Sequence, residues 1–497
     1  MLGPARFRFL GQEGELREPA DWNDPAQTKL WLYNLHYFDD LNARDSEARR
    51  DWHQSLIRRW VAENLPGFGN GWEPYPTSLR IVNWIKWALR GNTLEQEAVQ
   101  SLAVQARWLR RNLEYHLLGN HLLANAKALV FAGAFFEGSE ADEWDRKGRQ
   151  LLERELDEQV LSDGGHFELS PMYHLIILED LLDLINLEQL LSRAVPRQWY
   201  DTAQRMLRWA AVMRHPDGQV PFFNDAAMDV APPPVQLDTY AKQLGLTVTS
   251  SANDSAFLSE SGYARVSRGL AMLFVDVAKV GPDYLPGHAH ADSLSFELSL
   301  AGRRILVNAG TSTYEPDNLR AWQRGTSAHN TMRINWVDSS EMWAAFRVAR
   351  RAAVSVQEVR LEGSEAAITA FHDGYRRLAG APVHQRAYRL TKSALVVQDQ
   401  VTGGGEHDIE TFLHLHPEIR AEVVGVKDIE LRLSETNELV STLTFHGAGA
   451  VDVQEGWWYP EFGRAIANQR CVLTQFRVTL PACSGFTIDW SSTALSH

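Results

Sequence analysis

Apolar residues recur with a helical spacing through the first half of the chain, from about Trp22 to Leu244. Within 122–134 and 177–185 they return every three or four residues, which gives each segment an apolar face. Short segments rich in Gly, Pro and Asp separate such stretches at 65–71, 162–165 and 215–218. The pattern predicts an all-helical domain over residues 1–250, built from successive helical hairpins.

The apolar spacing changes to a period of two after 248–255, a polar stretch that suits a linker. Strand-like runs follow at 271–277, 304–307, 394–399 and 471–476. With no helical pattern between these runs, residues 256–497 are predicted to form an antiparallel β-sandwich. The predicted fold class is therefore multidomain α + β, with the helices first and the sheets second.

Composition narrows the class of partner. A chain of 497 residues with 44% hydrophobic and 23% charged residues is typical of a globular protein with more than one domain. The formal net charge of −14 argues against general binding to nucleic acid or to membrane surfaces, which needs a basic field. An acidic polysaccharide held in a local basic cleft stays compatible with this charge.

The sequence predicts neither an export signal nor a membrane span. Its N-terminus lacks the apolar core of a signal peptide, and no run of eighteen apolar residues occurs. We therefore expect no membrane insertion and a cytoplasmic location as written, or a periplasmic or secreted one if a leader has been removed. Cys471 and Cys483 leave the redox compartment open, and the oligomeric state is also open.

Three histidines are the strongest candidates for chemistry. His288 and His290 stand in the segment 287–298, GHAHADSLSFEL, where a loop leads into a half-buried strand marked by alternating apolar residues. Residues i and i+2 there share a face, and His329 follows in AHNT, 328–331. Imidazoles in this number suit a metal site or proton transfer, whereas an isolated HxH on a strand is more often structural.

Two further pairs stand at predicted helix starts. Asn120 and His121 open a helix after a glycine, and Tyr173 and His174 open another after the segment ELSPM. The free N–H groups and the positive dipole end at a helix N-terminus favour a bound carboxylate. Taken singly, each pair is compatible with a cap or a packed polar group.

Together these motifs resemble the heparinase II/III-like family of polysaccharide lyases, and the segment 31–38 looks like the form of the family found beside bacterial exopolysaccharide genes. The resemblance covers most of the chain and rests on the following segments: NH at 120–121, ELSPMYH at 168–174, 287–297, 328–331 and, more weakly, WLYNLHYF at 31–38. It implies an incomplete (α/α) toroid followed by an antiparallel β-sandwich. It also implies β-elimination at a uronic acid residue, which leaves a 4,5-unsaturated uronate end.

The resemblance assigns roles to the catalytic candidates. Asn120, with His121 close by, would neutralise the uronate carboxylate and stabilise the enolate-like charge. Tyr173 would be the acid and, for one uronate epimer, also the base, while His288 would be the base for the other epimer. His174 is included with this group, and the sequence does not choose between Tyr173 and His288 as the base.

The resemblance also points to a divalent metal, most readily zinc, at His290 and His329. Relatives supply an aspartate from the intervening strand, and Asn308 stands at that position here. A neutral amide is a poorer ligand for a divalent cation than a carboxylate. The sequence therefore predicts a weakly held or absent ion, with hydrogen-bonded histidines as the alternative.

Aromatic, basic and acidic residues near these motifs are the candidates for substrate binding. They are Trp72, Tyr75, Arg80, Trp84, Glu168, Arg324, Trp458 and Tyr459. Trp and Tyr rings can stack on sugars and Arg forks suit carboxylates or sulfates, although core packing and ion pairs use the same residues.

Two other classes of function compete with a lyase. A non-catalytic polysaccharide-binding protein could use the same scaffold, but the joint presence of Asn120, Tyr173 and His288 argues against it. A glycoside hydrolase on an (α/α) toroid would need two carboxylates flanking the scissile bond. The available carboxylates are not paired in the sequence: Glu73, Glu168, Asp217 and Asp225.

Overall fold

The computed structural model describes residues 1–247 and 255–490, so the predicted linker lies, apart from Ser255, outside the described residues. Helices occupy most of the first half of the chain, as the spacing predicts. The α-helices are α1 Lys29–Tyr37, α2 Arg50–Glu63, α3 Pro74–Leu89, α4 Gln96–Arg111, α5 Gly119–Phe135, α6 Ser139–Gln159, α7 Pro171–Leu190, α8 Arg197–Val212, α9 Pro234–Gln243 and α10 Asn318–Arg324. Short 3-10 helices lie at Pro19–Asn23, Asp39–Asn42, Ser46–Arg49, Asn70–Trp72 and Thr326–Ala328.

Antiparallel strands dominate the second half. A two-stranded antiparallel hairpin within residues 6–15 also precedes the helices, which corrects the expectation that residues 1–250 are all helical. The strands are β1 Arg6–Phe9, β2 Gln12–Glu15, β3 Ala256–Leu258, β4 Tyr263–Arg268, β5 Ala271–Asp276, β6 Phe296–Leu300, β7 Arg303–Leu306, β8 Met332–Ile334, β9 Met342–Trp343, β10 Arg347–Val348, β11 Val354–Arg360, β12 Ala366–His372, β13 Val383–Leu390, β14 Ala394–Thr402, β15 Glu406–His414, β16 Ile419–Val423, β17 Asp428–Leu433, β18 Leu439–His446, β19 Ala450–Trp458, β20 Ile466–Thr479 and β21 Ala482–Asp489. The three larger sheets have the orders β3-β4-β5-β6-β7, β11-β12-β13-β14-β21-β18-β17-β16 and β19-β20-β15-β8. Inner-face residues of these sheets form one large apolar core.

The chain forms two compact units, and their boundaries do not coincide with the change from helices to strands. One comprises residues 1–159 and 180–201, and the other comprises 160–179 and 202–497. The division falls inside α7 and α8, because both helices contribute residues to both units. The predicted boundary near residue 250 lies where helices are followed by strands, and as a boundary between domains it stays a prediction.

Helix α5 is the buried helix of the first unit. Nearly all of its residues from Gly119 to Gly133 are buried, so its sequence is apolar all round rather than on one face. Helix α6 packs closely against it because Gly148 presents no side chain: a Cβ there would lie 2.8 Å from the Ala126 carbonyl oxygen. This packing fixes the helix whose first turn carries Asn120.

The second unit departs from two expectations. Strand β6 was predicted to be half-buried, yet all of its residues are buried, because Glu297 on the alternate face binds His215 and Arg304. A helix, α10, also interrupts the strand region where the sequence predicted strands alone. It brings two arginines next to the histidine motif.

Within the described residues, no helix combines the length and the apolar character needed to span a lipid bilayer.

Candidate functional site

Asn120 and His121 lie in the first turn of α5, in the first compact unit, as predicted. The chain enters the helix through Leu118 and Gly119, which both have positive φ. Asn120 is 5% exposed. The Nδ1 atom of His121 lies 3.1 Å from Glu114 Oε1, and the His121 ring is 4.4 Å from the ring of Tyr75. The His121 imidazole is therefore held between a carboxylate and a phenol.

Asn125, one turn along α5, fixes the loop that precedes Asn120. Its amide donates to Glu114 Oε2 and Ser78 Oγ, and its carbonyl oxygen accepts from the Glu114 backbone N–H. Sequence reasoning missed Glu114 and Asn125, since neither belongs to a motif. Their contacts give the first turn of α5 a defined orientation.

Three predicted substrate contacts in this unit are core residues instead. Trp72 and Trp84 are 3% and 0% exposed, and both rings pack against Trp60. Arg80 is also fully buried, with its guanidinium over the Trp60 ring and donating to Gln105 Oε1. No ring face or guanidinium edge is left for a sugar, so these expectations are corrected; Tyr75 stays partly exposed.

Tyr173 and His288 meet in the second unit. Their rings stack with centroids 3.9 Å apart, and the Tyr173 hydroxyl lies 3.1 Å from that of Tyr314. Tyr173 is in the first turn of α7, where its backbone N–H donates to Ser170 Oγ. The structure thus brings the two predicted proton-transfer residues together and adds Tyr314, which the sequence did not single out.

His288 lies between two carboxylates. Its Nδ1 atom is 2.9 Å from Asp225 Oδ2, and its Nε2 atom is 3.4 Å from Glu168 Oε2. Burial alone would raise the pKa of Asp225, but the Arg320 guanidinium and hydrogen bonds from His288 and His290 hold it well below its usual range. Glu168, expected to contact substrate, is 2% exposed and faces this imidazole. Asp225 is therefore an anionic acceptor beneath His288.

His174 has a structural role, which corrects its place among the catalytic candidates. It is fully buried, its Nε2 atom is 3.0 Å from the Met206 carbonyl oxygen, and its ring lies on Trp209. Burial lowers the pKa of His174 to about 3, so the ring is neutral near neutral pH. It joins α7 to α8.

His290, Asp292 and His329 form a donor set that could hold a metal ion. One ligand atom from each lies within 4.8 Å of the others, and His290 Nδ1 is 3.1 Å from His329 Nε2. Each second ring nitrogen has its own partner: His290 Nε2 meets Asp225 Oδ1 at 2.8 Å, and His329 Nδ1 meets the Gly325 carbonyl oxygen at 2.9 Å. Such outer partners are typical of metal-binding histidines, so the donors fit a divalent cation.

Asn308 is not part of this donor set. Its Oδ1 atom accepts from the Asn330 N–H and its Nδ2 atom donates to the Phe222 carbonyl oxygen, which uses both ends of the amide in the buried core. The expectation that Asn308 is the third ligand is therefore corrected. The carboxylate comes from Asp292, two residues after His290.

The remaining predicted substrate contacts are also buried. Arg324 donates to the backbone carbonyls of Ala289 and Ala344, which ties the histidine segment to the β9–β10 hairpin. Trp458 stacks on Phe222, and Tyr459, 7% exposed, packs near Trp322. Arg324 is occupied by backbone carbonyls and the two rings are covered by aromatic neighbours, so these side chains offer little surface to a sugar, which corrects the three expectations.

Comparison with known proteins decides the family. Residues 251–491 match the family described as heparinase II/III-like, C-terminal, and residues 90–242 match the heparinase II/III N-terminus. The chain belongs to the heparinase II/III-like family. A heparin-sulfate lyase of Bacteroides stercoris is 31% identical over 243 residues, which is 44% of this chain and 36% of that protein. One of Bacteroides thetaiotaomicron is 25% identical over 491 residues, 85% of this chain and 66% of that protein.

The fold of this heparinase II/III-like chain also resembles solved structures. A crystal structure of heparinase III has a TM-score of 0.75 at 21% identity, covering 92% of this chain and 77% of that one. The likeness confirms the predicted fold class, a helical toroid region followed by an antiparallel sheet region. This chain spans 36% and 66% of the length of the two curated relatives.

Proposed function

We propose that this chain is a polysaccharide lyase that cleaves a uronic-acid-containing polysaccharide by β-elimination. The observation that carries the proposal is the stacked pair of Tyr173 and His288, two proton-transfer groups held 3.9 Å apart between their ring centres. The heparin-sulfate lyases among its relatives support the same class.

The chemistry requires a neutralised carboxylate, a base and an acid. The C5 proton of a uronate becomes removable when a hydrogen-bond donor neutralises the adjacent carboxylate, and Asn120 takes this role. The base removes the C5 proton, the C4–C5 double bond forms, and the C4–O4 bond breaks as the acid protonates O4. Tyr173 supplies the acid and, for one epimer, the base; His288 is the base for the other.

The surroundings of His288 suit it to proton transfer. Asp225 accepts from Nδ1, which leaves Nε2 as the atom that exchanges a proton. The His288 side chain is 13% exposed, whereas Asp225 is fully buried. A glycoside hydrolase would use two accessible carboxylates, and the saturation of Asp225 by arginine and imidazole donors disfavours that alternative.

A divalent metal, most readily zinc, is proposed at His290, Asp292 and His329. When bound, the ion would cross-link the segment that carries His288 to the loop that carries His329. The substrate is proposed to be an acidic polysaccharide.

The test is a panel of polymers containing glucuronate, iduronate, mannuronate or guluronate. A lyase produces a new ultraviolet absorbance from the conjugated double bond of its product. Cleavage that yields new reducing ends without this absorbance would identify a hydrolase. Tight binding of a polymer without any cleavage would identify a binding protein.

A further inference from the structure

Asp225 lies beneath both histidines of the 287–298 segment and is shielded from solvent, since its side chain is fully buried. Its Oδ2 atom is 2.9 Å from His288 Nδ1, and its Oδ1 atom is 2.8 Å from His290 Nε2. The two histidines therefore present different ring nitrogens to the same carboxylate.

This difference determines which nitrogen of each neutral ring carries the lone pair. An ionised carboxylate can only accept hydrogen bonds, so His288 must donate through Nδ1 and His290 through Nε2. The lone pair of neutral His288 is then on Nε2, and that of His290 is on Nδ1. Nε2 of His288 is the atom nearer Glu168, and Nδ1 of His290 is the atom that faces His329.

Arg320 fixes the carboxylate itself. Both of its terminal nitrogens donate to Asp225, one to each oxygen, with Nη2 2.7 Å from Oδ2. Arg320 is fully buried and also donates to the Ala345 carbonyl oxygen, while Thr311 Oγ1 lies 3.3 Å from Asp225 Oδ1. With these donors the carboxylate has no freedom to rotate away from the histidines.

We propose that Asp225 is a positioning residue that sets opposite tautomers in His288 and His290. It thereby prepares His288 for proton transfer and His290 for the His290–Asp292–His329 donor set. The first part rests on the proposed function, whereas the tautomers can be measured without any activity.

The first experiment uses the wild-type chain. Nitrogen-15 NMR of histidine-labelled protein, with His288→Gln and His290→Gln spectra for assignment, reports the protonated nitrogen of each ring. We expect Nδ1–H in His288 and Nε2–H in His290. The same tautomer in both rings would overturn the proposal, whether or not a substrate is known.

The second experiment compares Asp225→Asn with Asp399→Asn. Asp399 is a matched control, because it is equally buried and accepts from Arg386 and His384, with no contact to His288 or His290 among the described residues. On a polymer that the wild type cleaves, we expect Asp225→Asn to lower kcat about 10²- to 10⁴-fold with little change in KM, since the tautomer is no longer fixed.

Zinc affinity can be measured independently of catalytic activity. Loss of a partner behind a metal-binding histidine typically weakens metal affinity about 10- to 100-fold, so Asp225→Asn should also bind zinc less tightly than Asp399→Asn. A wild-type kcat and zinc affinity in Asp225→Asn would overturn the proposal. An inactive wild type would instead contradict the proposed function and leave the tautomer result standing by itself.

Discussion

The phenol ring of Tyr173 lies against the imidazole of His288, with 30° between the ring planes. The two residues come from α7 and from the loop before β6, segments far apart in sequence. Stacking leaves the Tyr173 hydroxyl beside Tyr314 and the His288 Nε2 atom beside Glu168. The Tyr173 hydroxyl and the His288 Nε2 atom thus have different polar neighbours.

Tyr173→Phe is expected to abolish nearly all turnover while leaving the fold and substrate binding intact. The substitution removes the phenolic oxygen and keeps the ring that stacks on His288. General acid–base groups contribute about 10² to 10⁴ in rate, so the loss should appear in kcat. Steady-state kinetics on a cleaved polymer measure it, and a variant with more than about a tenth of wild-type turnover would contradict the assignment.

Tyr314→Phe should reduce kcat by a smaller factor, about five- to tenfold, because a single hydrogen bond to Tyr173 is worth about 1 kcal/mol. The ring contacts with Phe346 and Phe462 stay in place. Tyr375→Phe is the matched control, since that hydroxyl donates to the Met332 carbonyl oxygen. Equal kcat values for the two variants would show that Tyr314 does not assist Tyr173.

The effect of His288→Ala is expected to depend on the uronate epimer. If His288 is the base for one epimer, cleavage of that linkage should fall by about 10²-fold or more while cleavage of the other falls less. Paired polymers of glucuronate and iduronate, or of mannuronate and guluronate, provide the measurement. Small and equal losses on every cleavable polymer would leave His288 with a structural role only.

Much of the fold could be predicted because local periodicity reflects burial. The spacing identified the region of α5 and the strands β5 and β14, although only β14 alternates between buried and more exposed residues, while α5 and β5 are buried on nearly all sides. Helix α10 was missed because it is only 7 residues long and rests on tertiary contacts. Sheet order was also beyond the pattern, since β14 pairs with β21 across a long stretch of chain.

The sequence could single out Tyr173 and His288 because both stand in motifs, and the structure brings their rings together. Asp225 could not be placed in this way, because it meets His288 across 63 residues of sequence and no spacing rule links the two. Asp292 stands inside the histidine motif, yet the resemblance pointed to Asn308. Only the packing reveals that the Asn308 amide is used by Phe222 and Asn330. The arginines and tryptophans were misjudged because a sequence does not distinguish a buried ring from an exposed one.

The free energy of unfolding should decrease as the pH drops below about 6.5, and His36 should contribute to this decrease. Its Nδ1 atom accepts from Trp60 Nε1–H and its Nε2 atom is 3.0 Å from the Trp22 carbonyl oxygen. Burial, with the nearby Arg80 charge, lowers the pKa of His36 to about 3. The unfolded chain therefore binds a proton that the folded chain rejects, and stability is lost as the pH falls from about 6.5 towards 3.

Urea unfolding at several pH values, followed by tryptophan fluorescence, tests the His36 contribution. His36→Gln should reduce the pH slope of the unfolding free energy by about 1.4 kcal/mol per pH unit between about pH 6 and pH 4, which corresponds to one proton. His446→Gln, at an exposed position, is the control for the substitution itself. An unchanged slope in His36→Gln would show that other buried groups account for the acid sensitivity.

Metal content should depend on Asp292 and not on Asn308. Asp292→Asn removes the carboxylate of the donor set and should lower both bound zinc and the thermal stability that zinc confers. Asn308→Asp should gain no metal and should lose stability, because a carboxylate there would face the Phe222 carbonyl oxygen without a donor. Elemental analysis and thermal unfolding, with and without a chelator, distinguish the two positions. If Asn308→Asp instead raised zinc content and stability, position 308 would supply the third ligand, as the family resemblance implies. Asp292 would then serve only as the acceptor of the Asn224 backbone N–H.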